Sequence, residues 1–368
     1  MHRTFFILLF LAATLRAFSQ ECADFVNDSS FTSASISFIV ADADKGDTII
    51  NYYSGRSLTP ASIMKLITSA AALELLGPDH TFTSSLGYTG TISKSGKLNG
   101  NIVIKGGGDP SFASPNFQDY YKKFPSGWAD EVRKLGIRKI KGRVITDDSY
   151  YDYLPVPAKW LWEDTGNYYG AGVFGASVFD NTYQIHFKTY DSCVITGIVP
   201  EYYKVDLTNY LTASGTTDKG YVFAAPYATS GWLAGSIPEG KSDFVLKAAI
   251  TDPPLLIAKI VDEKLRSSGV KITGEPTTTR LAKIGTVEIT TISTITSPPL
   301  DSIIRVLNHE SINLYAEHLL KELGKKFRND GSTDAGLQVV YEFLRNSGVN
   351  TEGMFIVDGS GLSRANSI

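Results

Sequence analysis

Cysteine is nearly absent. The 368 residues contain two, Cys22 and Cys193, too few and too far apart for a disulfide framework or a thiolate metal motif. Whether they pair is not legible. The five histidines are scattered, with no HExxH and no Cys/His pair at zinc spacing. No metal motif is therefore legible. An excess of either charge is also missing: the net charge is −3 and no basic cluster stands out, so nucleic acid is not an expected partner. Beyond the first residues no apolar run is long enough to span a bilayer, and no transmembrane segment is expected in the mature chain.

The N-terminus reads as a targeting segment. His2-Arg3 opens it, residues 5–15 form an apolar run too short to cross a membrane, and Ala17 and Ser19 put small residues at −3 and −1 of a cleavage site. Residues 1–19 are expected to be a signal peptide, which places the protein outside the cytoplasm, in the periplasm or an equivalent compartment. A buried first helix is the alternative, but no amphipathic period supports it. The remaining length suits two or three domains. Nineteen Tyr, nineteen Phe and 33 Gly point to many strands joined by tight turns.

Along the chain, residues 35–40 and 48–53 read as strands. A helix follows, with Thr59 as cap, Pro60 at the first helical position, and Gly77-Pro78 after Leu76 as its stop. Residues 81–180 are short alternating segments broken by turns, and residues 181–240 are again β-like. Asp252-Pro253-Pro254 introduces a helix over 255–267. Strand-like sequence over 287–295 precedes helices at 300–308, 314–323 (stopped by Gly324) and 333–347, then a strand at 355–357.

Chemistry enters at the helix over 60–76. Its residues are nearly all apolar or small, and a helix apolar on every side is expected to be buried. Lys65 would then be an ammonium among Ile63, Met64, Leu66 and Ile67, driven towards its neutral form. Ser62 precedes it by three residues, on the same face and in the first turn. A serine beside a neutral amine is a nucleophile with its base. The spacing alone is weak: Ser268 and Lys271 share it and read as a helix end. A Lys65 that snorkels to the surface stands as an equal alternative at this point.

The surroundings are more specific. Residues 60–79 open with Pro60-Ala61-Ser62-Ile63-Met64-Lys65 and close with Gly77-Pro78-Asp79. To these add Phe82-Thr83, Gly107-Gly108-Asp109-Pro110, Asp147-Asp148, Tyr168-Tyr169-Gly170-Ala171, Asp252-Pro253-Pro254, residues 307–317 and Asp358-Gly359-Ser360-Gly361-Leu362-Ser363-Arg364. In order, and over most of the chain, they resemble the low-molecular-mass class C penicillin-binding proteins, which are D-Ala-D-Ala carboxypeptidases and endopeptidases. Ser311-Ile312-Asn313 matches the family's Ser-x-Asn motif, although by itself it could be an ordinary helix cap. The resemblance implies that Ser311 relays a proton to the leaving amine. It also implies that Asn313 binds substrate and helps hold Lys65. Ser114-Pro115-Asn116 has the same letters but lies in a turn-rich loop.

The third motif, Lys-Thr-Gly, lies in the family on a strand well after the Asp-Gly-Ser-Gly run. The given sequence reaches Ile368, four residues past Arg364, without it. Lys94-Ser95-Gly96 comes close in letters but reads as a hairpin turn. That strand is implied to bind the substrate carboxylate and supply an oxyanion donor, and loss of one such donor lowers rates by about 10²–10³. The expectation is therefore a C-terminally incomplete or degenerate homologue, with weak or absent β-lactam labelling of residues 20–368 alone.

The resemblance implies a mixed α and β fold: a β-lactamase/transpeptidase-like catalytic domain from residues 20–83 and 291–368. A β-rich domain (84–184 and 241–290) is inserted in it, with a second insertion (185–240) nested inside. The implied partners are peptidoglycan stem peptides, with β-lactams as covalent inhibitors, and the implied acyl transfer needs no metal or organic cofactor. Carboxypeptidase and endopeptidase action are not distinguished. The alternative is a non-catalytic peptidoglycan-binding or scaffold homologue. Other chemistries fit poorly. Ser360 lacks the Gly-x-Ser-x-Gly spacing, the glycines at 106–108 lack a following Gly-Lys, and Asp147-Asp148 reads as a strand end rather than a glycosidase pair.

Overall fold

The computed structural model describes residues 24–368. The expected signal peptide and Cys22 lie outside the described residues. Two compact units are present. In the first, residues 24–59 with 367–368, β1 (Phe38–Ala41) and β2 (Thr48–Tyr52) form an antiparallel hairpin on which the rings of Phe38 and Tyr52 stack at 5.5 Å. The backbones of Leu58 and Ile368 exchange two hydrogen bonds.

The second unit, residues 60–366, carries the site. Six helices of nine residues or more lie among its described residues: α1 (Met64–Leu76), α2 (Ser126–Lys134), α3 (Pro253–Ser267), α4 (Leu300–Glu310), α5 (Asn313–Arg328) and α6 (Thr333–Asn346). No helix of the described residues is long and apolar enough to cross a membrane. A five-stranded sheet runs in the order β17 (Thr277–Thr278), β8 (Val144–Asp147), β6 (Ile102–Lys105), β3 (Thr83–Tyr88), β18 (Thr290–Thr296). Its central strands β6 and β8 are buried almost throughout, and α3 covers β8 and β17. The expected turn at Lys94-Ser95-Gly96 is present: it joins β4 (Thr91–Ile92) to β5 (Lys97–Asn99), which continue through β7 (Lys139–Ile140) to β16 (Lys271–Ile272). β9 (Thr182–Lys188) pairs on its two sides with β10 (Val194–Val199) and β15 (Phe244–Ala249). Between β10 and β15 in sequence, β11 (Asp206–Asn209), β12 (Thr212–Ala213), β13 (Lys219–Phe223) and β14 (Ser230–Ile237) form a sheet of their own.

α5 is the axis of the helical layer. Residues 314–324 are buried, with α1, α4 and α6 packed around them. The helix does not stop at Gly324 as expected. It runs to Arg328 and ends at Asn329 in the left-handed conformation, φ 54°. Gly324 serves packing: a Cβ there would come within 2.7 Å of Asp330 O and Gly336 N, and one on Gly336 would lie 2.1 Å from Leu320 O. Glycines let α5 and α6 approach backbone to backbone.

Three further expectations change. Thr59 is not the cap of the first helix. A 3-10 turn, Ala61–Ile63, precedes α1 with Pro60 at its N-cap, and no side chain closes it. The helix is also not buried on all sides, since Ile63 and Leu66 are 64% and 58% exposed. Residues 355–357 do not form the expected strand, because side chains take their amides: Ile356 N donates to Tyr341 Oη and Val357 N to Asn366 Oδ1.

Candidate active site

The 3-10 turn leaves Ser62 exposed at the head of α1 while Met64 and Lys65 turn inward. Lys65 is 2% exposed, so it does not snorkel. Its Nζ lies 3.1 Å from Ser62 Oγ and donates to Ser360 O at 2.8 Å. Ser311 ends α4 in the left-handed conformation, φ 53°, and this kink between two helices turns its hydroxyl towards α1. Ser311 Oγ donates to Ser62 Oγ at 3.1 Å. Three residues from two distant parts of the sequence thus form a chain of proton-carrying groups. Asn313, the first residue of α5, donates through Nδ2 to Tyr169 O at 2.8 Å. It ties the Ser-x-Asn turn to the Tyr168-Tyr169-Gly170 segment.

Burial lowers the Lys65 pKa from 10.5 to about 8, against the opposing charges of Glu317 and Asp358. An amine in that range is partly neutral near pH 7 and can accept the Ser62 proton.

Sequence reading assigned no role to three groups that complete the site: the Ser360 carbonyl, Asp358 and Glu317. Asp358 is fully buried. It accepts from Gly361 N, Ser363 N, Trp160 Nε1 and Asn366 Nδ2 at 2.7–2.8 Å, four donors that fix the carboxyl in place and leave neither of its oxygens unpaired. Gly361 has φ 79°, and a Cβ on it would lie 1.7 Å from Ala61 O. Only glycine lets this turn meet the head of α1. A backbone acceptor leaves no mark in a sequence, so Ser360 was not findable. Glu317 was, as a charge one helical turn after Asn313.

The look-alike motifs are structural. Ser114 accepts from Asn116 N and from Tyr315 Oη as the cap of a 3-10 turn, and Ser268 caps the C-terminus of α3. Beside Ser311 a cleft of about 430 Å³ opens, lined among others by Asn116, Tyr169, Gln184, Lys247 and Asn313.

Known proteins share this plan. The profile of the D-Ala-D-Ala carboxypeptidase 3 (S13) family matches residues 18–368. A D-alanyl-D-alanine carboxypeptidase of Actinomadura sp. (strain R39) is 27% identical over 377 residues, covering 96% of this chain and 66% of its own length. D-alanyl-D-alanine carboxypeptidase DacB of Haemophilus influenzae is 21% identical, covering 90% of this chain and 68% of its own. The crystal structure of penicillin binding protein 4 from Haemophilus influenzae superposes with a TM-score of 0.75 at 22% identity, covering 90% of this chain and 71% of that one. A complex of that protein with a novel β-lactam gives 0.67 at 21% identity, covering 90% and 70%. The fold is thus the expected mixed α and β one, shared with a penicillin-binding protein, and the chain spans about two thirds of the length of these relatives. With its profile matched across 351 of 368 residues, the chain belongs to the D-Ala-D-Ala carboxypeptidase 3 (S13) family.

Proposed function

We propose that the protein is an exported serine-type D-Ala-D-Ala carboxypeptidase or endopeptidase acting on peptidoglycan stem peptides through an acyl-enzyme. The observation that carries this reading is a buried amine, 3.1 Å from one serine hydroxyl that is itself 3.1 Å from another. Neutral Lys65 takes the Ser62 proton as Ser62 Oγ attacks the carbonyl carbon of the penultimate D-Ala. Ser311, hydrogen-bonded to Ser62, relays the proton from the Lys65 ammonium to the leaving amine. Water then attacks the ester, and Ser62 recovers its proton. β-Lactams present a strained amide to the same serine, and the β-lactam complex of the Haemophilus influenzae protein supports including them as covalent ligands. The cleft beside Ser311 gives the leaving group room.

The division into a catalytic domain with nested insertions belongs to the same proposal. It is supported by β9 and β15 pairing with each other around the self-contained sheet of β11–β14. Residues 1–19 are proposed to direct export.

The test is release of D-Ala from a synthetic stem pentapeptide ending in D-Ala-D-Ala, or cleavage of a cross-linked dimer of it. Release lost in Ser62→Ala and reduced by about 10²–10⁴ in Lys65→Met supports the reading. A Ser62→Ala protein as active as wild type overturns it.

A further inference from the structure

The lone pair of Lys65 receives the Ser62 proton only when the amine is correctly aimed, and the N–H donated to Ser360 O sets that aim. The carbonyl must therefore be fixed in turn. Thr68 Oγ1 donates to Gly359 O at 2.7 Å on the side of α1. On the other side the amides of this stretch enter a single carboxyl. Gly359 N lies 3.0 and 3.1 Å from Glu317 Oε1 and Oε2, and Ser360 N lies 2.8 Å from Oε1. Glu317 is 2% exposed and sits one turn along α5 from Asn313, on the same face. Asp358 already anchors the turn through four donors. A second buried carboxyl behind the amine adds what a neutral anchor would not, a charge.

We propose that Glu317 is a positioning residue for the Lys65 base: through the Gly359 and Ser360 amides it aims the amine at Ser62, and its charge sets the pH at which that amine becomes neutral. The inference rests on the acyl-enzyme reading. Burial, with the neighbouring Asp358 charge, raises the Glu317 pKa to about 8, while burial lowers that of Lys65 to about 8. The Glu317 charge works against the burial that lowers the Lys65 pKa. Ionised Glu317 favours the ammonium, and protonated Glu317 releases the amine. The other charged groups facing Glu317 are Asp358 from the turn and Lys321 further along α5. The Lys321 ammonium is already bound by Asp152 and Leu154 O.

The experiment has a kinetic and a spectroscopic arm. In the pH profile of acylation by a fluorescent penicillin, Glu317→Gln is expected to move the acid limb down by about one pH unit, because the ammonium loses its anionic neighbour. Glu317→Asp keeps the charge and shortens the reach, so its midpoint stays at the wild-type value while the rate falls. An unmoved midpoint in Glu317→Gln overturns the proposal, since a merely structural role changes rate alone. Infrared difference spectra need no turnover. Wild type should show a buried carboxyl stretch titrating near pH 8, with its midpoint raised in Lys65→Met. A midpoint identical in the two proteins overturns the coupling even if Glu317→Gln does not fold. A protein that fails to acylate while showing the raised midpoint sinks the reading of function and leaves the Glu317–Lys65 pairing standing.

Discussion

Lys65 owes its lowered pKa to where it points. Flanking residues 63 and 66 face outward, while the Lys65 side chain crosses under the 358–361 turn and loses its water there. The pKa consequence has a definite sign. Burial lowers the value to about 8, and the neutral form is the one that accepts a proton. Acylation should therefore rise with pH and level off above about 8, which a stopped-flow series with a chromogenic cephalosporin from pH 6 to 10 would read. A rate that is flat over that range counts against an amine base. A helix buried all round is the wrong premise for a buried lysine: Met64 and Lys65 are buried, while Ile63 and Leu66 are not. Spacing placed Ser62 and Lys65 on one face, but the direction of that face depends on α5 and the turn, which lie some 250–300 residues away in the chain.

At the scale of elements, the site is a meeting of one helix head, one kink between helices and one turn. Gly361 decides whether they meet. In Gly361→Ala the new methyl would collide with Ala61 O at a backbone angle that alanine resists, a destabilisation of about 1–3 kcal/mol, with Ser62 acylation lost alongside. Circular dichroism melts and penicillin labelling of the same preparation check both. Gly336→Ala tests a different contact, the crossing of α5 and α6. It should lower stability by about 1–3 kcal/mol by overpacking without shifting the acylation midpoint. A Gly336→Ala protein as stable as wild type in urea unfolding would mean that the helices are not in backbone contact. Most helices were legible from caps and apolar periods, as at Asp252, whose side chain accepts from Leu255 N. Gly324 was misread because a glycine that ends a helix and one that lets another helix approach look alike in sequence. Residues 355–357 were misread because their alternation suits a strand, while the partners of their amides are side chains on α6 and in the following turn.

For the whole molecule, the pairing of distant strands was the least legible feature. β18 joins β3 across some 200 residues, and no local pattern announces such a partner. Order along the chain made up for this only through resemblance, which placed the Ser-x-x-Lys and Ser-x-Asn stretches in one site. α5 also carries a buried titratable group away from the chemistry. His318 Nδ1 bonds Leu314 O and Nε2 bonds Ser177, and burial lowers its pKa from 6.5 to about 3. The unfolded chain therefore takes up a proton below about pH 6.5 that the folded chain refuses until about 3, and folding stability falls as pH drops through that window. Urea unfolding should show this slope in wild type and a shallower one in His318→Gln.

The most direct single measurement is peptide mapping by mass spectrometry after incubation with benzylpenicillin, on wild type and Ser62→Ala side by side. Penicilloyl adduct, at low occupancy in residues 20–368 alone, is expected on the peptide containing Ser62 and nowhere in the variant. An adduct on Ser311 or any other residue, or an equal adduct in Ser62→Ala, would contradict it.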